Sequence, residues 1–251
     1  MRACLTHSGV SGSGYLLDYR YFYFEKGCGR YACGLARQGI FECLRKYAEE
    51  SVFLGPEWYP ALESFKNNPS VIGFTVEQMI ISRLASSGLN WGDAAIPPAP
   101  QTLFPGNLTP LSIDKRSTYY VPLQFNFKAI DALYVEVNEG KKTAKIVAIQ
   151  ITVAKRHTDS EAKFFADWEA WTKSLGGFTI TSTFLWIVES TRGKVEVEAK
   201  LKELRQRRIL VMPEHATYWV MINQVDKRLA DTLPLIHPEG DVGVITLLQH
   251  D

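Results

Sequence analysis

The chain has 251 residues, 46% of them hydrophobic, and a formal net charge of +1, so it can bury one substantial core with a smaller accessory lobe but offers no broad polyanion-binding surface. No apolar run approaches the roughly 18 residues of a membrane span, and MRACLTHSG has no apolar stretch behind its basic residue, so neither a transmembrane helix nor a signal peptide is expected. Cys4, Cys28, Cys33 and Cys43 are too widely spaced for paired CxxC units, which favours reduced thiols over a zinc site completed by His7.

The run GVSGSG from Gly9 lacks the following Gly-Lys-Ser/Thr that a phosphate cradle needs, and reads as a loop. Further on, FTVEQMIISRLASSGL places Val76, Met79, Ile80, Leu84 and Leu89 at helical spacing. A short amphipathic helix is predicted, capped by Thr75 and stopped at Gly88, with Glu77 beside the apolar face and aimed along the packing seam. The Pro-rich stretch from Ala94 to Pro110 is expected to be a long surface loop.

The segments AIDALYVEV and KIVAIQITVA are rich in apolar and β-branched residues and flank the polar NEGKK, the pattern of a β-hairpin. Both are apolar at nearly every position, as strands covered on both faces are. Asp131 and Gln150 interrupt them. A buried hydrogen-bonding group without a partner costs about 1–3 kcal/mol, so each needs partners. The plain structural reading is that Gln150 and Thr152 bond to a loop and Asp131 to backbone amides at a strand end; the functional one is a shared site with Glu77.

Lys155, Arg156 and His157 follow the second strand directly. SEAKFFADWEAWTKSLGG then spaces Phe164, Phe165, Trp168 and Trp171 along a helix ending at Gly176 and Gly177, a stripe that reads as core rather than as base-stacking groups. TSTFLWIVE is the next buried strand, VEVEAKLKELRQRR contains a basic run from Lys200 to Arg208 that suits a helix, and HATYWVMINQV is a final strand.

A helix glutamate, a strand aspartate and a Gln-bearing strand, in that order, are the order of parts in the PD-(D/E)xK nuclease core. GFTVEQ, then PLQFNFKAIDALYV, then IVAIQITVAKRH followed by the helix with Trp168, resembles the restriction-endonuclease-like domain of the Crinkler and retrotransposon hot spot (RHS) proteins, from about Val71 onward. Gly14 to Tyr47 resembles the segment that closes the P-loop ATPase module preceding that domain.

The resemblance implies an α/β fold: a restriction-endonuclease-like core with a mixed central sheet flanked by helices over 67–251, and a small N-terminal α+β lobe, the remnant of the ATPase module, over 1–66. It implies a Mg²⁺- or Mn²⁺-dependent nuclease of the effector type acting in the nucleus, on duplex DNA rather than RNA. Glu77, Asp131 and the amide oxygen of Gln150 would be the metal ligands, and Lys155, Arg156, Arg205, Arg207 and Arg208 would contact nucleic acid. One departure stands out. The position two residues after Gln150, where the motif carries lysine, is Thr152. Lys155 is the candidate substitute, although strand counting puts it on the opposite parity from Gln150. His157 either orients substrate or water, or simply precedes the next helix. The departure keeps two alternatives: a catalytically weakened nucleic-acid-binding module, and an effector module that engages a host protein. No membrane partner is expected, and oligomeric state is left open.

Overall fold

The computed structural model describes residues 22–25, 28–31, 34–47, 50–66, 68–105, 113, 117–124, 127, 129–153, 159–189, 194–195, 198–199, 202–203 and 213–236. A hairpin of β1 (Phe22–Glu25) and β2 (Cys28–Tyr31) leads into α1 (Gly34–Tyr47), a 3₁₀ turn (Glu50–Leu54), α2 (Trp58–Ser64) and the long α3 (Pro69–Ser87). A second small hairpin pairs β3 (Leu89–Trp91) with β4 (Ala94–Ile96).

The central sheet runs through β5 (Gln101–Phe104), β6 (Thr118–Pro122), β7 (Ala132–Asn138), β8 (Thr143–Thr152), β9 (Thr179–Val188) and β10 (His215–Met221), in the spatial order β10-β9-β8-β7-β6-β5. Pairing is parallel at β5–β6, β8–β9 and β9–β10 and antiparallel on both sides of β7, so β7 alone opposes the other strands. Helices α4 (Ser160–Ala166) and α5 (Trp168–Thr172) link β8 to β9, and α6 (Ile222–Val225) and α7 (Lys227–Ile236) follow β10. The class is mixed α/β, with helices covering both faces of a six-stranded sheet.

Strand alternation divides the interior into two layers. On one face Tyr134, Val147, Ile149, Leu185 and Ile187 pack against α3, together with Phe41 of α1 and Trp58 and Leu62 of α2. Core packing therefore continues across residue 66, between the N-terminal helices and α3. On the other face Leu133, Ile146, Ala148, Phe184 and Trp186 meet Phe164, Phe165 and Trp171, the aromatic stripe expected to be core.

The β7–β8 hairpin forms as the sequence predicts. Asn138 pairs with Thr143, the Asn138 side chain accepts from the Lys141 backbone N–H at 2.9 Å, and Lys142 takes a positive φ of 51°. Two expectations need correction. Thr75 does not cap α3: the helix starts at Pro69, whose fixed φ suits a first turn, and Thr75 is buried in mid-helix. Apolar residues surround α3 nearly all the way round, so no polar face marks its beginning. The Pro-rich stretch is not a bare loop either, since β4 and β5 lie inside it. β5 is four residues long, sits at the sheet edge and has prolines on both flanks, where a missing N–H costs no ladder bond. Among the described residues no helix is long and apolar enough to cross a membrane.

Candidate active site at the carboxyl ends of the strands

Because β7 alone runs the other way, the carboxyl ends of β6 and β8 lie beside the start of β7. Asp131 stands at that start, and its N–H donates to Ile149 O at 2.8 Å. Since Ala132 pairs with Ile149, Asp131 is opposite Gln150. The Gln150 amide Nε2 donates to Asp131 Oδ2 at 2.7 Å, and the Ile151 backbone N–H donates to the same oxygen at 2.6 Å. Nε2 also faces Ile151 O at 3.3 Å. Two acceptors on one side fix the amide orientation and turn its oxygen the other way.

Glu77 comes from α3. It is 9% exposed and receives the Arg45 guanidinium, Nη2 donating to Oε1, with Gln78 Nε2 at 3.4 Å from the same oxygen. Burial pushes the Glu77 carboxyl above its ordinary value, and the adjacent Arg45 opposes that rise. Asp131 is a half-buried residue whose carboxyl is held well above the usual carboxylate range, first by desolvation and then by the negative charge of Glu77. The Ile151 N–H, Arg45 and Gln150 pull the other way. Geometry brings the two carboxylates to the same end of the sheet: Arg45 bonds Glu77 through Nη2 and, through Nη1, the Pro122 carbonyl, which the β6–β7 register sets beside Asp131.

Arg45 was not among the residues singled out from the sequence. Its Nη1 donates to Pro122 O at 2.7 Å and Gln124 O at 3.0 Å, so the side chain ties α1 to the end of β6 as well as to α3. Phe41 and Phe74 stack at 4.2 Å between ring centroids, and the guanidinium lies over Phe74 at 5.6 Å. The available signal was spacing: Arg45 is four residues after Phe41 and adjoins Leu44, on the stripe that α1 buries.

Thr152 ends β8, two residues beyond Gln150, and is half-buried. Lys155, Arg156 and His157, and likewise Arg205, Arg207 and Arg208, lie outside the described residues.

The donor set suits a hard divalent cation, although a thin one. Asp131 Oδ1 and Glu77 Oε2 take no hydrogen bond from any described residue and leave two hard carboxylate oxygens at one end of the sheet, while Gln150 presents its amide nitrogen, not its oxygen, to Asp131. Mg²⁺ is commonly held by one or two carboxylates, with water and substrate phosphate completing the shell. Among the described residues no group of three or more His, Cys, Asp and Glu side chains gathers, so those residues would supply two charged ligands, Asp131 and Glu77.

A second buried polar cluster lies on the other face. Glu161 of α4 is fully buried and accepts from Thr217 Oγ1 at 2.8 Å and Trp186 Nε1 at 3.2 Å, with His215 Nε2 at 2.7 Å. His215 Nδ1 faces Pro213 O at 2.8 Å, and the ring stacks on Phe165 at 3.9 Å. It locks α4 to β9 and β10. No family model, curated protein or solved structure matches the chain.

Proposed function

We propose that this protein is a Mg²⁺-dependent nuclease on a restriction-endonuclease-like fold, hydrolysing phosphodiester bonds of duplex DNA, in the manner of the Crinkler and RHS effectors its sequence resembles. The observation that carries the reading is the meeting of Asp131 and Gln150 across the β7–β8 hairpin, with Glu77 of α3 tied to the same end of the sheet through Arg45 and the Pro122 carbonyl. Ligand sites of α/β sheets characteristically lie at the carboxyl ends of strands, as this one does.

Asp131 and Glu77 would hold the cation through Oδ1 and Oε2, and the Gln150 oxygen would join them only with the amide turned over from the orientation in which Nε2 bonds Asp131. A divalent cation there supplies Lewis acidity at the phosphate. Gln150 and the Ile151 N–H orient the Asp131 carboxylate by bonding its other oxygen. Arg45 does the same for Glu77. Lys155 and His157 are the candidates for contact with the phosphate, and Lys155, Arg156, Arg205, Arg207 and Arg208 for the backbone of the duplex. The preference for DNA, the effector role and the nuclear setting rest on the resemblance.

Thr152 favours a second reading, a nucleic-acid-binding module with little or no cleavage, because no charge stands where the motif has lysine. Thermal unfolding with increasing Mg²⁺ in the presence of a short DNA duplex separates the two. The nuclease reading expects a rise in Tm that Asp131→Asn abolishes. No shift in the wild type, with duplex DNA still bound, would favour the binding module.

A further inference from the structure

The charge count of the site suggests how it is controlled. With both carboxyls ionised, as a bound cation requires, two carboxylates and one guanidinium charge sum to −1 at the end of the sheet. A divalent cation alone turns that to +1, close to an arginine held in place: its side chain is 2% exposed, Nη1 bonds Pro122 and Gln124, and Nη2 bonds Glu77, while Nε has no partner among the described residues. A phosphodiester brings the sum back to zero. We propose that Arg45 is a positioning residue that keeps divalent-ion binding at Glu77 and Asp131 weak until an anionic phosphate joins, so that metal and nucleic acid bind as a coupled pair. The proposal rests on the nuclease reading above.

Geometry supports it in two ways. Arg45 occupies one of the two Glu77 oxygens, leaving a single oxygen for a cation. Glu77 also rides on a helix buried along almost its whole length, so removing Arg45 frees the carboxylate without releasing the backbone that carries it. Loss of the guanidinium should therefore tighten metal binding rather than scatter the ligands. The expected size is roughly tenfold, that of a unit charge opposing a divalent ion about 6 Å away at a water-like dielectric. Coupling is reciprocal, so metal should strengthen DNA binding by the factor with which DNA strengthens metal binding.

The test is Mn²⁺ binding to the full chain, read from the electron paramagnetic resonance of free Mn²⁺, with and without a short linear DNA duplex, for wild type, Arg45→Met and Arg45→Lys. Wild type should bind Mn²⁺ weakly alone and about tenfold or more tighter with duplex. Arg45→Met should bind Mn²⁺ alone about tenfold tighter than wild type and lose most of the gain from duplex, while Arg45→Lys, which keeps the charge, follows wild type. A folded Arg45→Met with unchanged or weaker Mn²⁺ binding overturns the proposal, as does a wild type whose Mn²⁺ affinity ignores the duplex. Should Arg45→Met fail to fold, the duplex effect in wild type and Arg45→Lys decides alone. A wild type that binds no Mn²⁺ even with duplex sinks the nuclease reading itself, and this proposal with it; one that binds Mn²⁺ without the Arg45 effect sinks only the proposal.

Discussion

Glu161 offers the sharpest stability test, because its buried carboxyl accepts from two donors and meets a third polar group, His215 Nε2. In Glu161→Ala the His215 Nε2, Thr217 Oγ1 and Trp186 Nε1 groups, at 2.7, 2.8 and 3.2 Å, lose their common acceptor. A buried hydrogen-bonding group left unsatisfied costs about 1–3 kcal/mol. Thr217 is half-buried and can recover water, whereas the His215 side chain and Trp186 cannot, so two full penalties are expected, about 4 kcal/mol in all. With a urea m-value of about 3 kcal/mol/M for a chain of this size, the midpoint should fall by about 1.3 M. Urea unfolding followed by circular dichroism reads this, and Glu161→Gln, which keeps one acceptor oxygen, should fall between wild type and Ala. In the double variant with His215→Ala, the second loss should be smaller than in wild type by at least about 1 kcal/mol, because the two residues share one interaction. A loss below about 1 kcal/mol for Glu161→Ala, or strict additivity with His215→Ala, would refute the reasoning.

The raised Asp131 carboxyl predicts a pH dependence in metal-free protein. Its native value lies above the ordinary 3.8, so the folded state holds the proton to higher pH than the unfolded chain; the stabilisation is complete below about pH 4 and is lost as pH rises through the native value. Asp131→Asn should remove that loss, so unfolding in EDTA should show the variant gaining on wild type from pH 4.5 to 8, and a pH-independent difference would contradict the assignment. Gly88, at φ 68°, should not tolerate a side chain: an alanine Cβ would come 2.4 Å from Ile96 O, and Gly88→Ala should lose about 2 kcal/mol or more, measured by urea unfolding. Asp226 accepts from Tyr59 at 2.7 Å, Arg83 at 3.2 Å and the Leu229 N–H at 2.9 Å; Asp226→Ala should cost about 2–4 kcal/mol in the same assay, and Tyr59→Phe, which loses one of those bonds, about 1 kcal/mol.

Local pattern was readable where one interaction dominated. The β7–β8 hairpin follows from two apolar runs around a polar turn, Gly88 ends α3 because its backbone needs a positive φ, and β9 and β10 stand out as apolar, β-branched and aromatic segments. The beginning of α3 was misread because Thr75 has the chemistry of a cap, while the true start relies on Pro69 and on a helix buried nearly all round, which gives no amphipathic edge. β4 and β5 were missed because prolines conceal short edge strands. Of the candidate site, the Asp131–Gln150 contact follows from hairpin register, and the burial of Glu77 from its place beside the apolar face of α3. Arg45 left only a spacing signal: its partners are 32, 77 and 79 residues away, and a basic residue in the last turn of a helix usually serves the helix dipole. Glu161 was overlooked for a similar reason, since an acid in a first helical turn looks like dipole compensation until His215 arrives from another strand.

The central claim is that Asp131 belongs to a metal-dependent phosphodiester-hydrolysing site. Its most direct measurement is cleavage of linear duplex DNA by the wild-type chain and Asp131→Asn, each with Mg²⁺, with Mn²⁺ and with EDTA. We expect wild type to cut with either metal and not in EDTA, and Asp131→Asn to lose at least about a hundredfold in rate while remaining folded and still binding DNA. Cleavage that survives EDTA, cleavage undiminished in Asp131→Asn, or a folded wild type that binds DNA but cuts it with neither metal would contradict the account.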